Sequence, residues 1–155
     1  MHITSLPSPC GVGTMGAAAR RFVEFLRAAG QAWWQILPVC PTSYGDSPYQ
    51  SFSTFAGNPY LIDLDDLAEE GLLEWAEYAG LNWGDDPLAV DYGLLYRQRL
   101  PVLRLACGRL RANPPAEFAV FCNQNAFWLE DYALFMALKE AHGGIPWTQW
   151  DPSLR

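Results

Sequence analysis

A helical pattern that runs directly into a short apolar segment constrains this chain more than any other feature. Thr14 can cap a helix in which Phe22, Phe25, Leu26 and Ala29 recur at helical spacing, and Gly30 can take the left-handed conformation that ends it. Ala32-Trp33-Trp34-Gln35-Ile36-Leu37 follows almost at once and stops at Pro38, which predicts a buried strand of a parallel sheet. The stretch Met1–Gly13, rich in Pro, Gly, Ser and Thr, reads as loop. Loop, helix and buried strand make most of a βαβ unit, whose first strand must lie upstream of Met1 or shrink to Met1–Ile3. The expected class is therefore α/β, with the chain entering in the middle of a fold.

After Pro38 the pattern changes. Val39–Pro59 is rich in Gly, Pro, Ser and Tyr with no helical period, and it is far longer than the usual connection of about four to six residues. A short strand is expected at Tyr60–Leu64, then a short helix capped by Asp65 or Asp66 and closed by Gly71. Asn82–Val90 reads as loop, and Asp91 as the cap of a helix reaching about Leu110, with a kink or break near Pro101. Asn113-Pro114-Pro115 marks a break. Beyond it Phe118, Phe121, Cys122, Asn125, Trp128, Leu129, Tyr132, Phe135 and Met136 follow one helical face, ended by Gly143-Gly144 and Pro146.

Composition narrows the partners. A net charge of −7, with ten Lys and Arg, argues against nucleic acid, whose nonspecific affinity needs clustered basic side chains. No apolar run approaches the roughly 18 residues of a membrane-spanning helix, and the N-terminus lacks the layout of a secretory signal. Cys10, Cys40, Cys107 and Cys122 form no CxxC pair, so they read as reduced thiols of a cytoplasmic protein and call for no metal. Aromatic residues are 14% of the chain, and many lie in loop-like sequence. That suits a neutral ligand with flat apolar faces.

The run Pro41-Thr42-Ser43-Tyr44-Gly45-Asp46-Ser47-Pro48-Tyr49-Gln50-Ser51-Phe52-Ser53 follows the carboxyl end of the expected strand, where parallel α/β folds place their ligands. Tyr44, Tyr49 and Phe52 offer rings for a sugar face, while Asp46, Ser47, Gln50 and the backbone freed by Gly45 offer hydrogen bonds to hydroxyls. Pro41 and Pro48 stiffen the loop. An ordinary well-packed loop would have the same composition.

These residues resemble the 4-α-glucanotransferases of the amylomaltase and disproportionating-enzyme family, glycoside hydrolase family 77, relatives of the α-amylases. The resemblance runs through Thr4-Ser5-Leu6-Pro7, Gly11-Val12-Gly13, Trp34-Gln35-Ile36-Leu37-Pro38, Gly45-Asp46-Ser47-Pro48-Tyr49-Gln50-Ser51 and Phe55-Ala56-Gly57-Asn58-Pro59. It continues in Asp91-Tyr92-Gly93-Leu94-Leu95-Tyr96 and Trp128-Leu129-Glu130-Asp131-Tyr132-Ala133-Leu134-Phe135, in the family's order. Cys10 stands where the family usually has an aromatic, and Ser43 where it has a glycine.

The resemblance implies a (β/α)8 barrel that cleaves an α-1,4-glucosidic bond, holds the glycosyl group on an aspartate and passes it to another glucan's 4-hydroxyl. A complete barrel needs about 250 residues. The expected fold is therefore a partial (β/α)8 TIM barrel, with its first strands and the substrate-binding loop in residues 1–64 and an inserted, mostly helical subdomain in residues 65–155. The family's catalytic motifs lie on later strands, so no catalytic residue is expected here. On the same analogy Tyr49 stacks on the sugar next to the scissile bond, with Gly45, Asp46 and Ser47 near the donor subsites. Tyr44 and Tyr96 match rings that hold a glucan at a secondary groove, although Tyr96 lies on a helical face where an aromatic is usually core. The implied partners are maltooligosaccharides and amylose, and no cofactor is implied.

Other acidic pairs carry local readings. Glu130 and Asp131 are adjacent on a helix and diverge by about 100°, Asp65-Asp66 starts a helix, and Asp85-Asp86 is loop. His2 either lines the barrel mouth or makes a structural hydrogen bond, and His142 sits near a helix C-terminus. A carbohydrate-binding module without catalysis, or a hydrolase of the α-amylase superfamily, would share the aromatic loop.

Overall fold

A computed structural model describes residues 1–43, 45–86 and 88–155. The described residues form two compact units, Met1–Pro114 and Pro115–Arg155. The first holds helices α1 (Ala17–Ala28), α2 (Leu64–Glu69) and α3 (Tyr92–Ala112), and the second holds α4 (Ala116–Ala141). Short 3-10 turns at Ile3–Ser5, Pro59–Leu61 and Trp75–Glu77 in the first unit, and at Trp147–Gln149 and Pro152–Leu154 in the second, complete the regular structure.

The main core of the first unit is built on α3. Leu95, Arg99, Val102 and Ala106 lie four, three and four residues apart, the spacing of one helical face, and all four are buried. They pack with Cys10, Val12, Tyr60, Leu64, Leu73, Tyr78 and Trp83, apart from Arg99 an apolar cluster drawn from distant parts of the chain. Asp91 caps α3 by accepting the Leu94 N–H at 2.8 Å. Pro101 falls inside the helix without ending it. A second cluster joins Ile3, Leu6, Ala19 and Leu61, with Phe22 and Trp34 at its edge.

Arg99 is the unusual member of that face. It is 0% exposed, its guanidinium donates to the Cys10 carbonyl at 3.4 Å and to the Ile62 carbonyl, and it stands 6.0 Å from the centre of the Trp83 ring. Its Nε has no hydrogen-bond partner among the described residues. Burial pulls its pKa below the ordinary arginine value.

Local chemistry explains the turns. Gly13 is required because a Cβ there would lie 2.1 Å from the Ile3 carbonyl oxygen, so the loop can fold on itself only with glycine. Asn58 accepts the Tyr60 N–H at 2.9 Å and Pro59 opens the following turn, so residues 59–61 wind up. The strand expected at Tyr60–Leu64 is therefore replaced by a turn and the start of α2. Asp63, and not Asp65 or Asp66, is the α2 cap: its Oδ1 accepts from both of their N–H groups, while its Oδ2 accepts the Thr14 hydroxyl. Thr14 is thereby diverted from α1, whose cap position is Gly16.

The strand expected at Ala32–Leu37 is not formed, and no strand is present among the described residues. A strand exists through ladder hydrogen bonds with a neighbour. Here the Trp34 indole donates to the Met1 carbonyl at 2.8 Å, and the Leu37 N–H donates to His2 Nδ1 at 3.2 Å. Trp33 is 91% exposed, and Ile36 and Leu37 are exposed too, so the burial expected of a central strand is also missing.

Polar pairs fasten the surface of this unit. Arg20 and Asp66 form a two-pronged bridge, as do Arg109 and Glu77 at 2.6 and 2.7 Å. The Arg109 guanidinium, with the Glu74 N–H, holds the Glu77 carboxyl at a pKa of about 2. Because the folded value lies below the unfolded one, its stabilisation is complete above about pH 4.5 and is lost as pH falls towards 2. Urea midpoints measured from pH 5 to 2.5 should fall less steeply for Glu77→Gln than for the parent, and parallel slopes would refute this.

Burial pushes the Cys10 thiol up to about 11. Iodoacetamide at neutral pH should therefore label exposed Cys107 and leave Cys10 unmodified until the protein unfolds, as read by peptide mass spectrometry. Labelling of Cys10 in the native state would contradict its place in the core.

In the second unit α4 turns back on itself after Gly143 and Gly144, both with positive φ. Trp150 is buried against Phe135 and stacks on His142 with ring centres 5.1 Å apart. His142 Nδ1 contacts the Leu138 carbonyl at 2.8 Å, and Lys139 donates to the Gly144 carbonyl. No residue of α4 is buried. Among the described residues no helix is long and apolar enough to cross a membrane.

Candidate sugar-binding site

The loop after Pro41 is shaped by its own hydrogen bonds. The Ser43 N–H donates to the Gln50 carbonyl at 3.1 Å and the Asp46 N–H to the Ser43 carbonyl at 3.0 Å, closing a narrow hairpin-like tip. Inside it the Gln50 N–H donates to the Ser47 carbonyl, a turn with Pro48 at its second position, where a fixed φ suits it. Ser51 and Ser53 tie the next stretch through their hydroxyls. The neighbouring Asn58 N–H donates to the Val39 carbonyl at 2.8 Å, clamping the two ends of the long segment together.

The tip is strained. Gly45 has φ +92°, and Asp46 has φ +55°, the one positive value of a non-glycine residue among those described. Aspartate tolerates this region better than most residues, yet it costs free energy and marks positions whose geometry is imposed. Asp46 is one of the walls of an open depression of about 90 Å³. Its walls include His2, Thr4, Asn58, Tyr60, Tyr92 and Pro48.

Each expected site residue has a definite place. Asp46 is half-buried, and its carboxylate makes no hydrogen bond among the described residues, so burial raises its pKa above the usual aspartate value. Ser47 is taken up locally, its hydroxyl accepting the Tyr49 N–H at 3.4 Å. Tyr49 points out, 71% exposed, immediately after Pro48. Tyr96 is also exposed, on α3 one turn after Tyr92, so it is not a core aromatic. Tyr44 lies outside the described residues. The depression thus gathers Asp46 but neither Tyr49 nor Tyr96 among its walls.

Tyr60 and Tyr92 are the walls that sequence reasoning missed. Their rings are 6.1 Å apart at 52°. Burial raises both phenols, and the Asp46 carboxylate raises them further. Tyr60 was hidden inside an expected strand and Tyr92 behind a helix cap; only the packing of α3 on the turn at Pro59–Leu61 brings them together. Other acids of the first unit are engaged elsewhere: Asp63 as a cap, Asp65 with the Tyr78 hydroxyl at 2.6 Å, Asp66 with Arg20, Glu74 in a capping box, Glu77 with Arg109, Asp86 with the Leu88 N–H and Asp91 as a cap.

The comparisons agree with one another. The family described as 4-alpha-glucanotransferase matches residues 1–155. The 4-alpha-glucanotransferase of Thermus thermophilus is 54% identical over 159 residues, covering 100% of this chain and 31% of the relative. That of Clostridium butyricum is 48% identical over 155 residues, covering 100% of this chain and 32% of the relative. Among solved structures, the amylomaltase from Streptococcus agalactiae in complex with acarbose has a TM-score of 0.91 at 46% identity, over 97% of this chain and 31% of that one. The chain spans about a third of the length of these relatives. With a family match over every residue, this chain belongs to the 4-alpha-glucanotransferase family.

Proposed function

We propose that this chain is the glucan-binding front portion of a 4-alpha-glucanotransferase, which moves α-1,4-glucan segments between maltooligosaccharides or amylose by retaining double displacement. The observation that carries this reading is the set of hydrogen bonds tying Ser43, Asp46, Ser47 and Gln50 together, which offers the open ring of Tyr49 directly after Pro48, a wall of the depression that also holds the Asp46 carboxylate, unpaired among the described residues. A flat ring and a free acceptor are what a pyranose, apolar on its face and hydroxylated at its edge, requires.

A retaining transfer needs two carboxyl groups about 5 Å apart across the scissile bond. We assign the nucleophile and the acid/base to the two-thirds of the family's length that this chain does not match. In the same reading, α1 and residues 32–37 open a (β/α)8 barrel whose neighbouring strands come from that remainder, and residues 65–155 form the inserted helical subdomain. The exposure of Trp33, at 91%, with Ile36 and Leu37 partly exposed beside it, supports this, since a contiguous apolar patch left open to water is costly unless something covers it. Four free thiols support a reducing, cytoplasmic setting. The reaction calls for no cofactor.

The test is titration of the 155-residue chain with maltotriose, followed by tryptophan and tyrosine fluorescence, with glucose release assayed in parallel. Saturable binding, competed by acarbose and absent with cellotriose, is expected, together with no glucose above background. Failure to bind, or equal binding of cellotriose, would refute the glucan-binding reading, and glucose release would refute the placement of the catalytic groups elsewhere.

A further inference from the structure

His2 has a hydrogen-bond pattern that fixes its chemistry. Its Nδ1 accepts the Leu37 N–H at 3.2 Å. A nitrogen that accepts carries no proton, so the neutral ring must hold its proton on Nε2. Nε2 has no partner among the described residues, and the His2 ring lines the same depression as Asp46. The depression thus presents one fixed donor and one carboxylate acceptor without a hydrogen-bond partner among the described residues, with Thr4, Thr42, Asn58 and the packed pair Tyr60 and Tyr92 as its other polar walls.

Both groups are in the charge state this needs. Burial, with the positive N-terminus second, lowers the His2 pKa, so the ring is neutral at neutral pH. An aspartate is ordinarily ionised at neutral pH, and burial raises the pKa of Asp46 from that starting point. A neutral donor beside an anionic acceptor suits an uncharged polyol, whose hydroxyls both give and take hydrogen bonds. It does not suit an anion, which the carboxylate repels.

We infer that His2 and Asp46 form a donor–acceptor pair that binds the hydroxyls of one glucose unit in this depression, His2 Nε2–H donating and the Asp46 carboxylate accepting. The inference rests on the glucan reading above and adds a binding residue from the first turn of the chain, remote in sequence from the Tyr49 loop. His2 has two duties on its two nitrogens: Nδ1 holds residues 32–37 through Leu37, and Nε2 reads the sugar.

Those duties can be separated. In His2→Asn the amide oxygen occupies the place of Nδ1 and can still accept from Leu37, but nothing reaches the place of Nε2. In His2→Gln the longer amide restores a donor there. With maltotriose as probe and the 155-residue chain as protein, His2→Asn should keep the parental melting temperature and bind roughly three- to tenfold more weakly, the loss of one hydrogen bond. His2→Gln should recover most of that, and Asp46→Asn should lose roughly tenfold or more, because the bond to a charged acceptor is stronger. Long-range 1H–15N spectra of the parent chain add a readout independent of any variant. Nε2 should be the protonated nitrogen in the free protein, and its shift should move on saturation with maltotriose.

Unchanged binding by His2→Asn, a proton on Nδ1, or an Nε2 shift that ignores the sugar would each overturn the pair. If Tyr49→Ala weakens binding while His2→Asn does not, the pair falls and the glucan reading stands. If the parent chain binds no maltotriose, both fall.

Discussion

Replacing Arg99 with alanine should destabilise the first unit by about 3–5 kcal/mol, the largest loss expected from any single substitution considered for this chain. Three effects add. The side chain is completely buried, so truncation leaves a cavity among Cys10, Trp83 and Leu95. The carbonyls of Cys10 and Ile62 each lose a charged donor, and a buried carbonyl without a partner costs about 1–3 kcal/mol. The contact with the Trp83 face is lost as well. One effect opposes them: an arginine with an unpartnered Nε and a pKa pulled down by burial is held at a cost, and removing it relieves that cost.

Arg99→Met separates these contributions, since it refills most of the volume but restores no donor. It should recover about 1–2 kcal/mol of the alanine loss. Urea unfolding followed by tryptophan fluorescence reports the difference, because Trp83 lies in the same core. If Arg99→Met were as stable as the parent, desolvation would cancel the two hydrogen bonds and Arg99 would be a volume-filling residue only. Ile62 follows directly on Leu61, a wall of the depression, so a loosened Arg99 should also weaken maltotriose binding.

Tyr49→Ala should carry the largest functional effect. In a catalytically complete protein containing this chain, the open ring at position 49 is expected to lie against the sugar where charge develops. If it stacks better on the flattened, oxocarbenium-like sugar than on the ground state, its removal lowers kcat as well as kcat/KM. Taking base–aromatic stacking as the nearest scale, the loss is about 1–3 kcal/mol in transition-state stabilisation. Tyr49→Phe keeps the stacking surface, and since the Tyr49 ring is 71% exposed, it should cost much less. Tyr96→Ala removes another exposed ring, on α3, and should leave turnover of maltotriose nearly unchanged while altering the handling of amylose. Steady-state disproportionation of both substrates checks this. Equal losses for Tyr49→Ala and Tyr96→Ala on maltotriose would end the distinction between a ring at the bond and a ring that holds the chain.

The parts of this protein that were legible in sequence are the ones whose causes are local. Helices α1, α3 and α4 follow from apolar spacing and from caps within a few residues, as at Asp91, Gly30 and Gly143. The stiff, aromatic loop was legible because Gly45, Pro48 and the serines act on their own backbone. Family membership follows from the order of such local motifs along the whole chain.

What distance decides was hidden. Residues 32–37 have the composition of a buried strand, yet a strand needs neighbours, and among the described residues they have none in a ladder. Asp63 out-competes Asp65 and Asp66 as the α2 cap while also holding Thr14, a residue 49 positions away that sequence assigned to α1. Arg99 reads as one more basic residue on a helix, and only the meeting of α3 with the loops at Cys10 and Ile62 makes it the centre of a core. The depression follows the same rule: His2, Asp46, Tyr60 and Tyr92 are strangers in sequence. Propensity and capping act over a few residues and can be read one segment at a time, whereas burial, strand pairing and the convergence of side chains are properties of two or more segments at once, fixed only when the tertiary fold sets the distance between them.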